Sequence, residues 1–388
     1  MSVADGESLL DRFGEAPKRS SRILLFAVIL AAVLIVGAVA WLAVKNPNNR
    51  EQHPVEYTTH IAISIDGNGG FTNASGVVWG SGTASDPYII ADWDITGVSP
   101  AGILIQKTDA HFIVRNCYVH GGSQYNGISL WLCVNGTLEN NICSNCDYGI
   151  ALDSSSKNTL IRNTCNLNQY GIYLVSSSNN TLSDNNCSND YDGMYLGSSS
   201  NNALDNNDCS SGSYDGIALV LSSNNTLINN NFSSNNNGGM TLYSSNNNTL
   251  SDNNCSSNDY WGIGLGSSSI NNEIYWNQIS NNGGCGVDIS SGSKNRIWYN
   301  VFIGNNRATG TYNASRAQAR DEGTNNWWNS TDVYGNHGNY WSDWTTPDAV
   351  PPSGIVDHPY SILGSAGAKD YCPLSNDPRY ILVSFTPS

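Results

Sequence analysis

The sequence has little positive charge and no sustained helical pattern, and both absences exclude classes of protein. Lysine and arginine together number 17 against 32 acidic residues, and only 13% of the 388 residues are charged. The net charge of −15 argues against nucleic-acid binding, which needs a basic surface. Beyond the N-terminal region, hydrophobic residues do not recur at the 3.6-residue helical spacing. The sequence also lacks a P-loop, an HExxH motif and a Ser-His-Asp constellation, so no familiar catalytic signature is present.

What the sequence does contain is an internal repeat. The octapeptide NTLSDNNC occurs twice, 68 positions apart, and repeat units that begin at a glycine follow one another every 22 to 25 residues. The units start at Gly102, Gly127, Gly149, Gly171, Gly193, Gly216, Gly239, Gly262 and Gly286. A fixed period of this length is typical of a solenoid.

Apolar residues lie at fixed offsets from the first glycine of each unit. In the six units from Gly127 to Gly239, offsets 1 and 3 carry Ile or Met and then Leu, offset 11 carries Leu, and offset 16 carries Cys or, once, Phe. The alternation indicates short strands, and the Ser, Asn and Gly between them indicate turns. One unit cannot bury its few apolar residues alone, but stacked units can. We therefore predict an all-β parallel solenoid, with Asn side chains hydrogen-bonded from coil to coil.

The repeat and its flanks carry a family resemblance. Phrases such as GIYLVSSSNNTLSDNNC resemble the repeat of right-handed parallel β-helix proteins. The flanking stretches Gly80–Gly97 and Gly338–Trp344 (GNYWSDW) resemble those of archaeal cell-surface proteins in the NosD-like, carbohydrate-binding-and-sugar-hydrolase group. The resemblance covers roughly residues 60–375 and implies a right-handed parallel β-helix of about nine or ten coils. We expect about nine regular coils from Gly102 to Arg307, with one additional coil ahead of them.

The N-terminal region predicts a membrane anchor. Ile23–Val44 is a run of 22 residues without a charge, which is long enough to cross a bilayer as one transmembrane helix. Basic residues before it favour a cytoplasmic N-terminus, and the rest of the chain would then be extracellular. A cleaved signal peptide remains the alternative. The expected segments are a tail (1–22), the anchor (23–44), a linker (45–58), the β-helix (59–322) and an aromatic-rich cap (323–388).

Five of the ten cysteines share offset 16, and three explanations are open for this column. The column accepts Phe232 in one unit, which favours cysteine as a small apolar core residue. A ladder of disulfides between adjacent coils and a metal site are the alternatives. The C-x-x-C motif at Cys143–Cys146 lacks a nearby histidine to complete a tetrahedral site.

Aromatic residues at outward offsets are the candidate carbohydrate-binding residues. Aromatic rings can stack on the apolar faces of sugars, while neighbouring carboxylates accept hydrogen bonds from hydroxyl groups. The alternative is that these rings only stabilise the stacking of strands. The candidates are Trp131, Tyr173, Tyr195, Tyr243 and Trp261.

Three aspartates are the candidate catalytic residues. Asp192 and Asp215 share a column one coil apart, at about the separation of the carboxyl groups in a retaining glycosidase. Asp153 occupies another outward position. The repeat places no lysine or arginine beside them, and polysaccharide lyases usually need such a group. Tyr-Asp before Gly is also ordinary turn chemistry.

Ten Asn-x-Ser/Thr sequons occur, and an Asn-rich repeat creates such sequons by chance. Asn186 and Asn254 directly precede core cysteines, and Asn231 is the remaining sequon of the repeat. The candidate glycosylation sites are Asn73, Asn135, Asn179, Asn224, Asn247, Asn313 and Asn329.

The sequence predicts no cofactor. The resemblance implies a calcium-like loop before DHPY, but only Asp348 and Asp357 remain there. Copper is disfavoured because Met194 and Met240 occupy core offsets. We therefore expect a binding or structural module of the cell envelope whose partners are the bilayer, through Ile23–Val44, and extracellular glycans or envelope proteins. A polysaccharide lyase or glycoside hydrolase and a NosD-like copper-handling accessory protein are the alternatives.

Overall fold

A computed structural model describes residues 56–97, 99–332, 335–345 and 354–378. The predicted span Ile23–Val44 lies outside these residues. Within them, no helix is long and apolar enough to cross a membrane. The coils described below belong to one compact unit that runs through Asn329 and resumes at His337, and a second unit includes Ser330–Asn336.

The chain winds into successive coils that form three parallel sheets, here called faces 1, 2 and 3. Face 1 contains eleven strands, each hydrogen-bonded to its equivalent in the next coil. Its strands are Ile63–Asp66, Ala101–Thr108, Asn126–Cys133, Tyr148–Asp153, Tyr170–Val175, Asp192–Gly197, Ile217–Val220, Met240–Tyr243, Ile263–Gly266, Val287–Ile289 and Ala319–Asp321.

Face 2 also contains eleven strands, and all of its pairs are parallel except the first. Its strands are Val77–Trp79, Tyr88–Ala91, Phe112–Arg115, Gly136–Glu139, Thr159–Ile161, Thr181–Ser183, Ala203–Asp205, Thr226–Ile228, Thr249–Ser251, Glu273–Tyr275 and Arg296–Trp298.

Face 3 is interrupted in the middle, where single parallel bridges through Asn186, Asp208, Asn231 and Asn254 replace full strands. Its strands are Thr58–Thr59, Trp93–Thr96, Tyr118–His120, Ile142–Ser144, Thr164–Asn166, Gln278–Ser280, Val301–Ile303 and Tyr340–Trp341. The remaining strands are Ser269–Ile270, Gly292–Ser293, Ser330–Asp332, Gly335–His337, Tyr360–Ser361 and Lys369–Asp370. Short 3-10 helices cover Asn68–Gly70, Asn73–Ser75, Asn305–Arg307 and Ala314–Arg316.

The predicted inward offsets are confirmed. Leu182 and Leu250 are 0% exposed, as are the residues at offsets 1 and 3 in most coils. The offset-16 cysteines and Phe232 are likewise buried in the core cluster. All ten cysteines are free thiols. The parallel register places Leu138, Leu160 and Leu182 in one column, so each coil buries its leucine against the next.

Each regular coil turns at residues with left-handed backbone, and an inward polar residue directly follows most of them. In one coil, Ser154, Lys157, Arg162 and Leu167 have φ between 51° and 60°. The residues that follow, Ser155, Asn158, Asn163 and Asn168, are buried. At a residue with left-handed φ the chain turns, and the strand ends there. The backbone N–H and C=O groups at this corner therefore need hydrogen-bond partners outside the sheet. The buried side chains supply those partners.

The buried asparagines form ladders that run along the solenoid, as the sequence predicted. Asn207 shows the pattern: its Oδ1 accepts hydrogen bonds from the backbone N–H and the Nδ2 of Asn185, at 3.1 and 2.9 Å. Its own Nδ2 donates to the carbonyl of Leu182 and to Oδ1 of Asn230. The equivalent members of this ladder are Asn141, Asn163, Asn185, Asn207, Asn230, Asn253, Asn277, Asn300 and Asn339.

The coil that begins at Gly262 has one additional residue, and the structure accommodates it at a corner. Where other coils have one left-handed residue at this corner, Ser267 and Ser268 are both left-handed, with φ of 47° and 64°. The extra length forms the short strand Ser269–Ile270, which pairs with Gly292–Ser293 in the next coil. The insertion therefore changes the corner and leaves the buried Leu265 and Ile274 in register.

Candidate functional site

The outward side of face 1 carries three lanes of side chains that run along the solenoid. Lane A is formed by the residues directly before the repeat glycines, and lanes B and C are formed by offsets 2 and 4. Lane A contains Tyr148, Tyr170, Asp192, Asp215, Gly238 and Trp261. Lane B contains Tyr173, Tyr195, Ala218, Thr241, Gly264, Asp288 and Arg320. Lane C contains Trp131, Asp153, Val175, Gly197, Val220, Tyr243 and Gly266.

Tyrosines fill the first half of lanes A and B and pack mainly on one another. Tyr173 stacks on Tyr148 at 4.3 Å between ring centroids and on Tyr195 at 5.0 Å. Tyr170 meets the edges of these rings. Burial, followed by the nearby carboxylate of Asp192, raises the pKa of Tyr170 to about 12. Because Tyr173 has neighbours on both ring faces, this cluster mainly stabilises the stacking of coils, which is the alternative set out from the sequence.

Asp192 and Asp215 lie next to each other in lane A and are both almost completely buried. The backbone N–H of Asp215 donates to the carboxylate of Asp192 at 2.9 Å, and that of Gly238 donates to Asp215 at 2.8 Å. Burial is the main cause that raises the pKa of Asp192 to about 6, and it also raises the pKa of Asp215. Each carboxylate therefore accepts a hydrogen bond from a backbone N–H of the next coil. The pKa of about 6 makes Asp192 able to carry a proton at mildly acidic pH.

A small cleft lies in the second half of face 1, and we call it the aromatic cleft. It has a volume of about 100 Å³, and Tyr243 and Trp261 form its walls. Its floor contains Gly264 and Gly266, where an added Cβ would lie 2.8 Å from the indole of Trp261 and 2.9 Å from the ring of Tyr243. Glycine is therefore required at both positions if the two rings are to lie against the sheet.

Trp261 is oriented by a hydrogen-bond chain that leads to the buried aspartates. Its Nε1–H donates to Oγ1 of Thr241 at 3.1 Å. The hydroxyl of Thr241 in turn donates to the carboxylate of Asp215, which lowers the pKa of that carboxyl against the larger effect of burial. An added Cβ at Gly238 would lie 2.1 Å from the indole nitrogen, so the ring crosses from its own coil onto the preceding one. The indole is held in one orientation by these contacts.

An ion pair closes the other end of the aromatic cleft. Arg320 donates from Nε and Nη2 to the two carboxylate oxygens of Asp288, both at 2.8 Å. These hydrogen bonds raise the pKa of the Arg320 guanidinium. Arginine has five N–H donors, so three remain for a ligand in the cleft.

The other predicted site residues are dispersed over the surface. Trp131 is half-exposed in lane C, with Nζ of Lys107 5.1 Å from its ring centroid. Asp153 is its partner in the next coil, is exposed, and accepts a hydrogen bond from Ser154. The structure therefore brings Tyr243 and Trp261 together in one cleft and leaves Trp131 about five coils away.

Four residues of the aromatic cleft were not predicted from the sequence. Asp288 lies at offset 2 of the unit that begins at Gly286, so the repeat spacing could have identified it. Gly264, in the floor of the aromatic cleft, lies at offset 2 of the unit that begins at Gly262. Gly266 lies at offset 4. Arg320 follows an insertion that includes the two 3-10 helices Asn305–Arg307 and Ala314–Arg316, so no repeat spacing leads to it.

The candidate glycosylation sites fall in different environments. Asn179, Asn224 and Asn247 are exposed and occupy one left-handed corner column with the half-buried Asn135. Asn73 and Asn313 are exposed at 3-10 helices, and Asn329 is half-buried.

Two family profiles match the chain. The profile described as right handed beta helix region matches residues 63–192, and that described as periplasmic copper-binding protein (NosD) matches residues 171–346. The chain folds as a parallel β-helix, and residues 171–346 are similar to NosD. The two profiles together span the coils from face 1 of the first coil to the aromatic residues of GNYWSDW. No curated protein matches the NosD-like chain significantly.

Solved structures of the same architecture are distant from this NosD-like protein. The A-module of Azotobacter vinelandii mannuronan C-5 epimerase AlgE4 is 15% identical, with 64% of this chain and 87% of that chain covered and a TM-score of 0.45. The Dettilon tailspike protein is 13% identical, with 70% and 60% covered and a TM-score of 0.49. The periplasmic alginate epimerase AlgG is 16% identical, with 61% and 69% covered and a TM-score of 0.39.

The description of the NosD family names copper, but the residues described here do not form a copper site. Across the described ranges, no three His, Cys, Asp or Glu side chains lie together as a potential metal-binding group. Met194 and Met240 are buried in the core. Burial raises the pKa of Cys117 to about 12, which disfavours the thiolate that binds metal. Asp348 of the calcium-like loop lies outside the described residues.

Proposed function

We propose that this NosD-like protein is a glycan-binding module of the cell envelope, displayed outside the cell on the single membrane span Ile23–Val44. The aromatic cleft is the observation that carries the proposal. Tyr243 and Trp261 present rings on a glycine floor, and Arg320 offers hydrogen-bond donors at the end of the cleft. Rings beside fixed polar groups suit a sugar, which has apolar ring faces and hydroxyl groups at its edges.

The size and position of the cleft favour an extended glycan over an enclosed small molecule. A volume of about 100 Å³ is below the usual range for pockets that enclose a ligand. A sugar chain that lies along face 1 can place one unit in the cleft while neighbouring units contact exposed groups such as Trp131. The acidic protein repels polyanions at low ionic strength, so neutral glycans are preferred.

A catalytic role as a lyase or glycoside hydrolase is the second candidate, and the buried aspartates favour it. The pKa of Asp192, raised to about 6, is in the range of a general acid. Asp215 connects through Thr241 to the wall of the aromatic cleft. However, both carboxylates accept backbone hydrogen bonds from the next coil, and this engagement favours binding without turnover.

The first prediction tests this proposal with the full-length protein and an array of neutral and acidic glycans. Trp261→Ala should weaken binding to the best ligand at least tenfold, because the variant removes one wall of the aromatic cleft and the ring that stacks on the sugar. Tyr243→Ala should weaken it similarly. Trp79→Ala is the matched control, since this tryptophan is 72% exposed and lies on the first strand of face 2.

A reducing-sugar assay on the same ligands separates binding from catalysis. The proposal expects stable binding without new reducing or unsaturated ends. New ends that disappear in Asp215→Asn would establish the enzyme instead. Binding that is unaffected by Trp261→Ala and Tyr243→Ala in folded protein would refute the aromatic cleft as the binding site.

A further inference from the structure

A second and larger cavity lies at the C-terminal end of the solenoid, and we call it the cap cavity. Its volume is about 590 Å³, which is within the range of small-molecule sites. It lies between the turn Asp321–Asn326 and the segment Ser365–Tyr371, and it shares no lining residue with the aromatic cleft. No part of the function proposed above uses it.

The turn on one side of the cap cavity is held rigidly. Asp321 is 1% exposed, and its carboxylate accepts hydrogen bonds from the backbone N–H of Gly323, Nδ2 of Asn326 and Nε1 of Trp328. Trp328 is buried, whereas its neighbour Trp327 is 47% exposed and lines the cavity. A fixed turn therefore presents one indole outward, with little conformational entropy left to lose on binding.

The opposite side of the cap cavity is tied to this turn. The carboxylate of Glu322 accepts hydrogen bonds from the backbone N–H of Ser365, at 2.8 Å, and from its hydroxyl group. These bonds lower the pKa of Glu322, so it stays ionised. The antiparallel pair Tyr360–Ser361 and Lys369–Asp370 leads from the tied loop to Tyr371, which is 62% exposed.

The polar groups around the cap cavity suit hydroxyl groups more than a full charge. Lys369 and Glu322 both line the cavity, and Lys369 is exposed. The amides of Asn325 and Asn329 add donors and acceptors. The lining contains one cationic side chain, Lys369, and two carboxyl groups, Asp321 and Glu322, so it has no excess positive charge to attract an anion, and the protein itself carries −15.

We propose that the cap cavity binds an uncharged saccharide of one or two sugar units, with the rings of Trp327 and Tyr371 as stacking platforms. The site is separate from the aromatic cleft and stands whether or not that cleft binds glycans. Its position at the end of the solenoid gives the protein a second sugar-binding point beyond face 1.

The second prediction concerns titration of the full-length protein with cellobiose, maltose, lactose and mannobiose, followed by calorimetry and tryptophan fluorescence. The protein is kept in a detergent without a sugar headgroup. At least one disaccharide should bind, and Trp327→Ala should weaken it at least tenfold because a stacking platform is lost. Tyr371→Ser, at an exposed position outside the core, should weaken it several-fold. Trp79→Ala should leave it unchanged.

Each alternative outcome is distinguishable. If none of the four disaccharides binds, or if Trp327→Ala and Tyr371→Ser both bind normally, the cap cavity is not the site. If digalacturonate binds more tightly than every neutral disaccharide, the uncharged-ligand assignment is wrong. Loss of binding in Trp261→Ala with retention in Trp327→Ala would instead support the aromatic cleft alone.

Discussion

At the scale of single residues, Asp190 is an exception within an otherwise neutral ladder. The equivalent residues in the neighbouring ladder positions are mostly asparagines, such as Asn168, whose Nδ2 donates to the carbonyl of Cys143. In Asp190, Oδ1 accepts the N–H of Asn168, but the buried Oδ2 has no hydrogen-bond partner. Burial is the main cause that raises the pKa of Asp190 to about 9. The folded protein therefore holds this carboxyl in its protonated form at neutral pH.

Replacing Asp190 with asparagine should stabilise the protein, and this is the third prediction. The folded-state pKa lies above the unfolded value of about 4, so the stability that the proton provides is present below pH ~4 and is lost as the pH rises towards 9. Asp190→Asn should remove that slope and raise the free energy of unfolding at pH 8 by about 1–3 kcal/mol, since it restores a buried donor. Denaturant unfolding at pH 5, 7 and 8 measures both effects.

Asp259→Asn is the control for this variant. Asp259 is exposed, and its replacement changes the net charge in the same way without entering a ladder. An equal stabilisation of both variants would show that surface charge, and not the buried carboxyl of Asp190, determines the effect.

At the scale of the structural element, the stability of a corner depends on its ladder residue. The fourth prediction is that Asn207→Ala lowers the free energy of unfolding by at least about 2 kcal/mol. The variant leaves two donors of Asn185 and the carbonyl of Leu182 without the Asn207 side chain, and Oδ1 of Asn230 keeps only the backbone N–H of residue 207. Thermal and denaturant unfolding followed by circular dichroism measure the loss.

Asn236→Ala provides the matched comparison for Asn207. Asn236 is an exposed asparagine in the same region with ordinary negative φ, so its loss should change stability by less than about 0.5 kcal/mol. Similar losses in the two variants would contradict a special role for the buried ladder.

The elements also show how much the sequence could predict. The repeat glycines and offsets predicted the core columns correctly, because a period of 22 or 23 residues places equivalent residues directly above one another. The four corners were not located, since Ser, Lys, Arg and Leu all occur at left-handed positions in a single coil and share no chemical signature. The aromatic cleft was found only in part. Its ion pair depends on Arg320, which an irregular insertion brings into lane B.

At the scale of the whole molecule, the fifth prediction concerns the anchor Ile23–Val44. The native protein should retain residues 1–44 and remain with the membrane fraction after alkaline extraction, because 22 uncharged residues insert stably into a bilayer. Intact-mass measurement of the purified protein tests this directly. A mature N-terminus beyond Val44, together with release into the medium, would show that the segment is a cleaved signal peptide.

The ladders have a mechanical consequence for such a tethered molecule. Bonds such as those from Asn185 to Asn207 and from Asn207 to Asn230 join one coil to the next, and the coil-to-coil hydrogen bonds of the three faces do the same. Tension applied between the N-terminus and a glycan bound near the C-terminal end would act on the hydrogen bonds of every coil-to-coil interface. The terminal coil would open first, and each released coil of 22 residues would lengthen the tether by up to about 75 Å. Under tension the regular coils would then lengthen the protein in steps of similar size, whereas the longer C-terminal coils would give larger steps.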